Sequence, residues 1–443
     1  MGATRKLAEF VSQLEYSDIS KNAIEKAKLC LMDWIGVTIA GFISTEGKKL
    51  DRMIDSLSPF FGQPQATLLT KNRKVDIFNA ALINGTAGHL LDFDDVHAGM
   101  FGHPSVPVMP AVLSVGEYLN VDGKKLITAI VAGFEAECRI GEAVNIEHYA
   151  AGWHSTATLG CFGAAAAVAK LLDLDVDKTV AALGIAGTQA FGVRQTFGTM
   201  CKPFHPGKAA SNGILAGILA KDGFTAPTQI LEGPNGFGKV YSTKFDESKI
   251  DNFGKPYKAE EVVYKRYASC YLTHAPIRCT LDLKKEHNVD PKNVDEIVVK
   301  VNKQAIDVAG KEDPKTGLEG KFSIKYCVAL ALTVGKALES QFTDELVNSP
   351  EIRKVMQKIS VVPAEVGEAE AEVVMKVGGE TLQKRLNLIA AEMKTPVDEW
   401  KVVLEEKFTD LVKPYAGERV VEIVNSIKNI EKISAVELTE MLR

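Results

Sequence analysis

Helix-length apolar segments dominate the first half of the 443-residue chain. Their apolar residues recur at intervals of three and four positions, and many contain Ala or Gly at points where helix axes can approach closely. Ser20 and Asp177 precede two of the segments and are predicted to cap them. The pattern predicts a helical bundle built from the segments 24–39, 77–91, 106–118, 126–144, 157–172, 180–191 and 209–219.

After about Tyr271 the sequence changes to β-branched stretches with partial alternation. The stretches 294–302, 358–363 and 371–386 predict strands, with a hairpin turn at Gly378-Gly379 and helical runs between them. These elements predict an α+β unit with a small, mostly antiparallel sheet. From Pro396 onward the pattern is helical again, which is consistent with a return to the first domain.

A chain of this length exceeds one ordinary hydrophobic core. The predicted fold class is mainly α, with a large all-helical domain and a smaller α+β domain. The predicted boundaries give a helical domain over residues 1–268, an α+β domain over 269–395, and C-terminal helices over 396–443 that return to the helical domain.

Charge and cysteine content exclude several classes of partner and site. The formal net charge is −5, from 52 basic and 57 acidic residues, so there is no overall field that attracts nucleic acid or an anionic membrane. The seven cysteines are scattered without a Cys-x-x-Cys pair, which argues against a disulfide framework or a cysteine metal site. The most apolar run, 156–169, is too short to cross a bilayer. We expect a cytoplasmic protein that binds neither nucleic acid nor membrane.

Histidine and lysine are concentrated in four short stretches that also contain Gly and Pro. Histidine has an unperturbed pKa close to neutral pH, so its presence in turns beside helix starts favours proton transfer or anion binding. The third stretch places cationic groups where a helix N-terminus already favours an anion. The candidate residues in the four stretches are, in order, His97 and His103; His148, Tyr149 and His154; Lys202, His205 and Lys208; and His274.

Each stretch also has a purely structural interpretation. The aspartates Asp92, Asp94 and Asp95 fit a solvated helix end, His154 fits a helix cap or core histidine, and the lysine-rich stretch fits an exposed basic turn. The Asp and His spacings match no helical two-ligand motif, so no metal site is predicted. No dinucleotide-binding or serine-hydrolase motif is present in the sequence.

Five longer motifs, in order along the chain, resemble the MmgE/PrpD family. They are HLLDFDDVHAGMFGHPS, HYAAGWHSTATLGCFGAAAA, FGTMCKPFHPGKAASNG, YASCYLTHAPI and KFSIKYCVALAL. The family includes 2-methylcitrate dehydratase, cis-aconitate decarboxylase and iminodisuccinate epimerase. The resemblance implies a large helical domain with a smaller α+β lid inserted before the C-terminal helices. It also implies a homodimer and the absence of any metal or organic cofactor.

The resemblance carries catalytic positions onto this chain. Lys202, His103 and His274 are expected to bind carboxylate and stabilise developing negative charge. His154 is expected to move a proton, and so is Tyr149, which matches a tyrosine proposed as an acid/base in epimerase-like members. Asp92 is expected to orient a histidine or lysine. Further substrate-binding candidates are His97, His205, Lys208 and Ser269.

One position departs from the family pattern. A polar Thr or Ser often follows the DFDD string, whereas this chain has Val96 there. Direct transfer of a decarboxylase assignment is therefore not expected, and the motifs look closer to the epimerase-like branch. The predicted function is a cofactor-independent lyase or isomerase that abstracts a proton next to a carboxylate of a small di- or tricarboxylate. The alternatives are a cis-aconitate decarboxylase-like enzyme and a non-catalytic polycarboxylate-binding protein.

Overall fold

A computed structural model describes residues 2–367 and 369–443 and divides the chain into two compact units. The first unit comprises the chain up to Tyr264 together with Val397–Arg443, and the second comprises Lys265–Pro396. The boundaries predicted from the sequence lie after residues 268 and 395. In both divisions the C-terminal segment belongs with the N-terminal helices.

Helices make up most of the described ranges, and α1 to α21 follow in chain order. They are Ala3–Gln13, Lys21–Ile43, Gly47–Leu57, Ile77–Gly88, Ser105–Leu119, Gly123–Val144, Glu147–Ala150, Ser155–Leu171, Val176–Gly187, Cys201–Lys221, Phe237–Val240, His274–His287, Lys303–Ala309, Gly317–Gly320, Ile324–Val334, Asp344–Val347, Pro350–Met356, Leu388–Met393, Val397–Ala416, Val420–Lys428 and Ala435–Met441. Strands β1 to β6 are Ala66–Leu68, Arg73–Val75, Val294–Val301, Ile359–Pro363, Glu370–Val377 and Glu380–Asn387.

Close helix packing forms the core of the first unit. Helix α10 contacts α4, α5 and α8, helix α5 contacts α4 and α8, and α19 packs on α2. Glycine permits the closest approach, because a Cβ on Gly207 of α10 would lie 2.1 Å from the Leu82 carbonyl oxygen of α4. A Cβ on Gly85 would lie 2.6 Å from the Gly207 Cα. The end of α4 is therefore held beside the beginning of α10.

A four-stranded sheet in the order β4-β3-β5-β6 forms the β part of the second unit. Strand β4 is parallel to β3, with Val361 opposite Val299, whereas β5 and β6 are antiparallel neighbours. Gly378 and Gly379 have φ of 57° and 88° and join β5 to β6. Two consecutive positive φ values match a type I′ hairpin turn, which glycine adopts without strain.

The predicted fold class is confirmed: a mainly α protein with a smaller α+β unit. The first unit is not entirely helical, because Ala66–Leu68 pairs with Arg73–Val75 in a short antiparallel ribbon. Ser20 caps α2 as predicted, through Oγ and the Ala23 N–H. The Asp177 prediction was wrong, since Asp175 accepts the Lys178 N–H and begins α9.

No single helix in the described ranges is long and apolar enough to cross a membrane. The pair Lys21–Ile43 and Gly47–Phe60 meets the length and composition requirements only when combined, across a bend of 84°. Most of the first helix of that pair is buried within the protein.

Candidate active site

Three junctions between elements of the first unit, together with the helix turns next to them, carry most of the predicted site residues. The first runs from α4 to α5, the second joins α7 to α8, and the third joins α9 to α10. The side chains at these junctions contact one another because their helices pack together. A single group of histidine, aspartate and lysine side chains results.

Asp94 links two histidines of the first junction. Its Oδ1 lies 2.8 Å from His89 Nδ1, and its Oδ2 lies 3.0 Å from His103 Nδ1. Burial opposes ionisation of Asp94, but the adjacent imidazoles hold the pKa of this carboxyl well below its usual value. Burial lowers the pKa of His89 to about 4, so this imidazole is neutral at pH 7 and donates its Nδ1 hydrogen to Asp94. The His89 Nε2 is buried and has no hydrogen-bond partner in the described part of the chain.

The tautomer of His103 follows from a backbone contact. Its Nδ1 lies 2.8 Å from the Asp95 carbonyl oxygen, which can only accept, so Nδ1 carries the hydrogen. The Nε2 lies 3.8 Å from Asp92 Oδ1, beyond hydrogen-bond distance. It therefore presents a lone pair in the neutral ring and a donor in the protonated ring.

The Asp95 side chain binds the N-terminal residue of helix α5. Its Oδ1 accepts from the Ser105 N–H at 3.2 Å, and its Oδ2 lies 2.5 Å from Ser105 Oγ. Burial and the nearby Asp33 carboxylate raise the pKa of Asp95 to about 8. The Asp95 side chain thus has a structural role, while its carbonyl group orients His103.

Asp92 and Lys202 form an ion pair between the first and third junctions. Lys202 Nζ lies 2.9 Å from Asp92 Oδ1, and about half of the Asp92 side chain is exposed. Asp92 has φ of 51°, in the left-handed region that aspartate adopts more readily than most residues. Because α10 begins at Cys201, the Lys202 ammonium stands at a helix N-terminus, where anions are favoured.

His154 and His205 form a buried imidazole pair. Their Nδ1 atoms are 2.9 Å apart, so one ring donates a hydrogen and the other accepts it. Burial and the positive charge of Lys202 lower the pKa of both histidines, the effect being larger for His154. The ring of His89 stacks at 6.1 Å from that of His154. Two neutral imidazoles therefore adjoin the Lys202 ammonium.

Tyr149 lies under a guanidinium group. Arg194 Cζ is 3.9 Å from the centre of the Tyr149 ring, and Arg194 Nη1 donates to the Tyr149 carbonyl oxygen. The Arg194 Nε is buried and unpartnered in the described ranges. The Phe197 ring lies 5.0 Å from the His154 ring and 5.4 Å from Lys202 Nζ, and it also approaches Arg194. Phe197 therefore connects Tyr149 and its arginine to the histidine and lysine group.

His97 belongs to a different group, although it lies between Asp94 and His103 in sequence. Its Nε2 donates to Glu261 Oε2 at 3.2 Å, and its Nδ1 accepts from the Met100 N–H at 3.2 Å. Lys258 Nζ bridges Glu261 and Glu142 at 2.9 and 2.7 Å. Both nitrogens of His97 are thus occupied by the protein, in contrast to those of His103.

The other predicted binding residues have local partners. Lys208 donates to Asn212 one turn further along α10. In the second unit, His274 begins α12, and its Nε2 lies 3.2 Å from the Ser269 carbonyl oxygen. The Ser269 hydroxyl is 2.7 Å from that of Thr273. Substrate binding by Lys208, Ser269 and His274 stays a prediction.

Among the residues that the structure describes, two groups have donor atoms close enough together to hold a metal ion. One, here called the His103 cluster, comprises His89, Asp92, Asp94 and His103, and the other, the His97 cluster, comprises His97, Glu142 and Glu261; within each, the donor atoms lie within 4.8 Å of one another. Oxygen and imidazole donors suit ions such as Zn²⁺ or Mn²⁺. However, a lysine ammonium already contacts carboxylates in each group: Lys202 in the first and Lys258 in the second. A metal ion would have to compete with these ammonium groups.

Sequence reasoning missed His89, Arg194 and the direct role of Asp94. His89 follows an apolar helix in the string TAGHLL and has no polar neighbours in sequence that mark it. Arg194 lies just before the third predicted stretch. A signal for His89 was the Gly-rich end of α4, because small residues there allow α10 to approach.

Family comparison extends over both units. A model of the MmgE/PrpD N-terminal domain matches residues 5–249, and one of the C-terminal domain matches residues 267–430. A cis-aconitate decarboxylase of Aspergillus terreus is 30% identical over 391 residues, covering 81% of this chain and 78% of that protein. The human cis-aconitate decarboxylase is 25% identical, covering 97% and 92%.

A probable 2-methylcitrate dehydratase of Saccharomyces cerevisiae is 24% identical over 382 residues, covering 77% of this chain and 70% of that protein. The relatives therefore carry names of two different lyase reactions. The two matching domains together account for most of the sequence. The chain belongs to the MmgE/PrpD family of enzymes.

Proposed function

We propose that this enzyme is a lyase or isomerase that moves a proton at the carbon next to a carboxylate of a small di- or tricarboxylate. The observation that carries the proposal is the Lys202 ammonium, paired with Asp92 and close enough to the neutral imidazoles of His89 and His154 for its charge to lower their pKa values. Bond breaking next to a carboxylate places negative charge on the carboxylate oxygens. A nearby cation lowers the cost of that charge, and a neutral imidazole accepts the proton.

Lys202 and His103 bind the substrate carboxylate in this proposal. The Asp92 carboxylate holds Lys202 in place until an anionic substrate competes for the ammonium. His103 adds a second polar contact when its ring is protonated, because Nε2 then carries a hydrogen; this atom lies 3.8 Å from Asp92 Oδ1, beyond hydrogen-bond distance. Arg194 offers a further cation close to Tyr149 and suits a second carboxylate.

His154 acts as the proton acceptor in this proposal, with Tyr149 as a second acid or base. Burial keeps His154 neutral, and when its Nδ1 donates the hydrogen shared with His205, its Nε2 carries the lone pair that accepts a proton. His205 supports the ring through the contact between the two Nδ1 atoms. Tyr149 is half-buried and its ring lies against the Arg194 guanidinium, at 3.9 Å from Cζ.

Three reactions share this chemistry: dehydration, decarboxylation and epimerisation. The names of the relatives favour the first two, whereas Val96 in place of a hydroxyl residue argues against simple transfer of decarboxylation. The test is incubation with a panel of citrate-, aconitate- and aspartate-derived acids in heavy water, followed by NMR. A new olefin identifies dehydration, release of carbon dioxide identifies decarboxylation, and deuterium labelling without net conversion identifies epimerisation.

A polycarboxylate-binding protein without catalysis gives none of these signals. If every acid of the panel binds without labelling or conversion, the proposed function is wrong. Parallel samples treated with a chelator, and metal analysis of the purified protein, test the competing idea that an ion in the His103 cluster drives the reaction. Assembly as a homodimer stays a prediction, which light scattering of the purified protein tests.

A further inference from the structure

A buried lysine of the C-terminal segment contacts the backbone of the loop that carries Asp92 and Asp94. Lys407 lies in α19, and its side chain is 2% exposed. Its Nζ lies 2.6 Å from Asp33 Oδ1 of α2 and donates to the Phe93 carbonyl oxygen at 2.7 Å. The same ammonium stands 3.7 Å from the centre of the Phe93 ring. One cation thus holds both the backbone and the side chain of Phe93.

Phe93 separates the two aspartates of the His103 cluster. Asp92 pairs with Lys202, and Asp94 contacts both His89 and His103. The Phe93 side chain is buried, so the backbone on either side has little freedom to move. A shift of the Phe93 carbonyl would move both carboxylates, together with the histidine orientation that Asp94 maintains.

The Lys407 and Asp33 pair has a large desolvation cost, since the side chains are 2% and 1% exposed. Buried ion pairs of this kind contribute little net stability compared with apolar residues of similar volume. Apolar packing at this position would preserve the core, yet it could not bind the Phe93 carbonyl group. The ion pair is therefore better explained by placement of the loop than by stability.

We propose that Lys407 is a positioning residue of the active site, held by Asp33, and that it fixes the loop bearing Asp92 and Asp94. The proposal rests on the proposed function only for its kinetic consequence. The geometry of the loop itself has a readout that requires no substrate, namely the tautomer of His103.

The main variant is the double substitution Lys407→Met with Asp33→Leu. It replaces the buried ion pair by apolar side chains, so the protein is expected to remain folded. We expect kcat to fall about 100-fold, because small displacements of catalytic groups have effects of that size. KM is expected to change less. Lys407→Met alone provides a second variant, in which the buried Asp33 loses its contact with Lys407.

Two control variants lie on the same helix. Lys413→Met removes an exposed lysine that pairs with Glu418, and it is expected to leave kcat unchanged. Leu404→Ala removes a fully buried side chain without touching the loop contacts of Lys407, and it is expected to lower the melting temperature while kcat of the folded enzyme is retained. Together they separate loss of stability from loss of positioning.

Histidine-selective ¹⁵N NMR supplies the readout that is independent of turnover. When the imidazole is neutral, the wild-type His103 signals, assigned by their loss in His103→Asn, should show the tautomer with the hydrogen on Nδ1 and none on Nε2. The double variant should show averaged tautomers for His103. A folded double variant with the wild-type kcat and the wild-type His103 tautomer would overturn the proposal. If the wild type converts no acid, the proposed function fails, but the NMR comparison still decides the role of Lys407.

Discussion

The His103 cluster and the His97 cluster draw on the same short stretch of sequence, yet they differ in how their polar atoms are occupied. In the His97 cluster, both nitrogens of His97 have protein partners, and Lys258 bridges two glutamates. In the His103 cluster, the Nε2 atoms of His89 and His103 are not engaged in hydrogen bonds within the described ranges. The His97 cluster is closed, whereas the His103 cluster has lone pairs available.

Density of titratable residues therefore does not distinguish a structural group from a reactive one. Burial tends to raise the pKa of Glu261, but hydrogen bonds from His97 and Lys258 lower it to about 2, which describes a satisfied ion-pair network. The His103 cluster combines an ionised Asp94, a neutral His89 and a half-exposed Asp92. Unsatisfied atoms beside a cation are what allow a substrate to bind.

The two lysines give the largest expected contrast. Lys202→Met should lower kcat/KM by about 100- to 1000-fold, as removal of one charge-stabilising donor does in other enzymes. The free energy of unfolding of this variant should change little, because the ion pair between Lys202 and Asp92 is partly solvent-exposed. Steady-state kinetics on whichever acid proves to be the substrate, with thermal melts of the same samples, measures both effects.

Lys258→Met is the matched substitution in the closed cluster. It leaves Glu142 and Glu261 facing each other without a cation, so we expect a loss of about 1–3 kcal/mol in the free energy of unfolding. The kcat of the folded fraction should remain near that of the wild type. Equal losses of activity in the two variants would contradict the distinction between the clusters.

Loss of the proposed proton acceptor comes next in size. His154→Asn should lower kcat by about 100-fold or more, the range found for general acid–base residues. Tyr149→Phe provides the companion variant, and the proton acceptor is the residue whose replacement abolishes deuterium exchange in heavy water. Full turnover by either variant would remove that residue from proton transfer.

The histidines of the two clusters provide a subtler comparison. His89→Asn removes a neutral ring from beside Asp94, and we expect kcat to fall about 10-fold as the orientation of His103 loosens. His97→Asn breaks a contact to Glu261 and should alter stability by about 1 kcal/mol with kcat retained. A kinetic defect in His97→Asn larger than that in His89→Asn would reverse the assignment of the two clusters.

A dependence of stability on pH should accompany the neutral state of His89. Its pKa is about 4 in the folded protein against the usual 6.5, so the unfolded chain binds the proton first. The contribution of His89 to the free energy of unfolding is fully present above about pH 6.5 and is lost as the pH falls toward 4. Urea unfolding measures the loss in the free energy of unfolding between pH about 7.5 and about 5. This loss should be smaller in His89→Asn than in the wild type, by on the order of 2 kcal/mol. The exposed His287→Gln should retain the wild-type drop.

Local sequence patterns predicted the helices and strands well, because burial follows the periodicity of each element. They also predicted that Asp92 follows a helix and that His154 and Lys202 lie at or just before helix starts, and these three residues fall in one group. Local patterns could not show that His97 and His103 belong to different clusters. The partner of His97 is Glu261, which is 164 positions away in the sequence. Likewise, the position of His89 in the cluster depends on the close approach of α4 and α10 at Gly85 and Gly207. A local sequence pattern does not identify which helices pair in this way.

The contact between the Nδ1 atoms of His154 and His205 has a directional consequence. If His205 supplies the shared hydrogen, His154 begins the reaction with Nε2–H and can only give a proton to the substrate. If His154 supplies it, His154 begins with a bare Nε2 and can only take one. The orientation of one internal hydrogen thus determines whether the same scaffold starts as an acid or as a base. Enzymes that share this pair can therefore run opposite first steps without exchanging a single side chain.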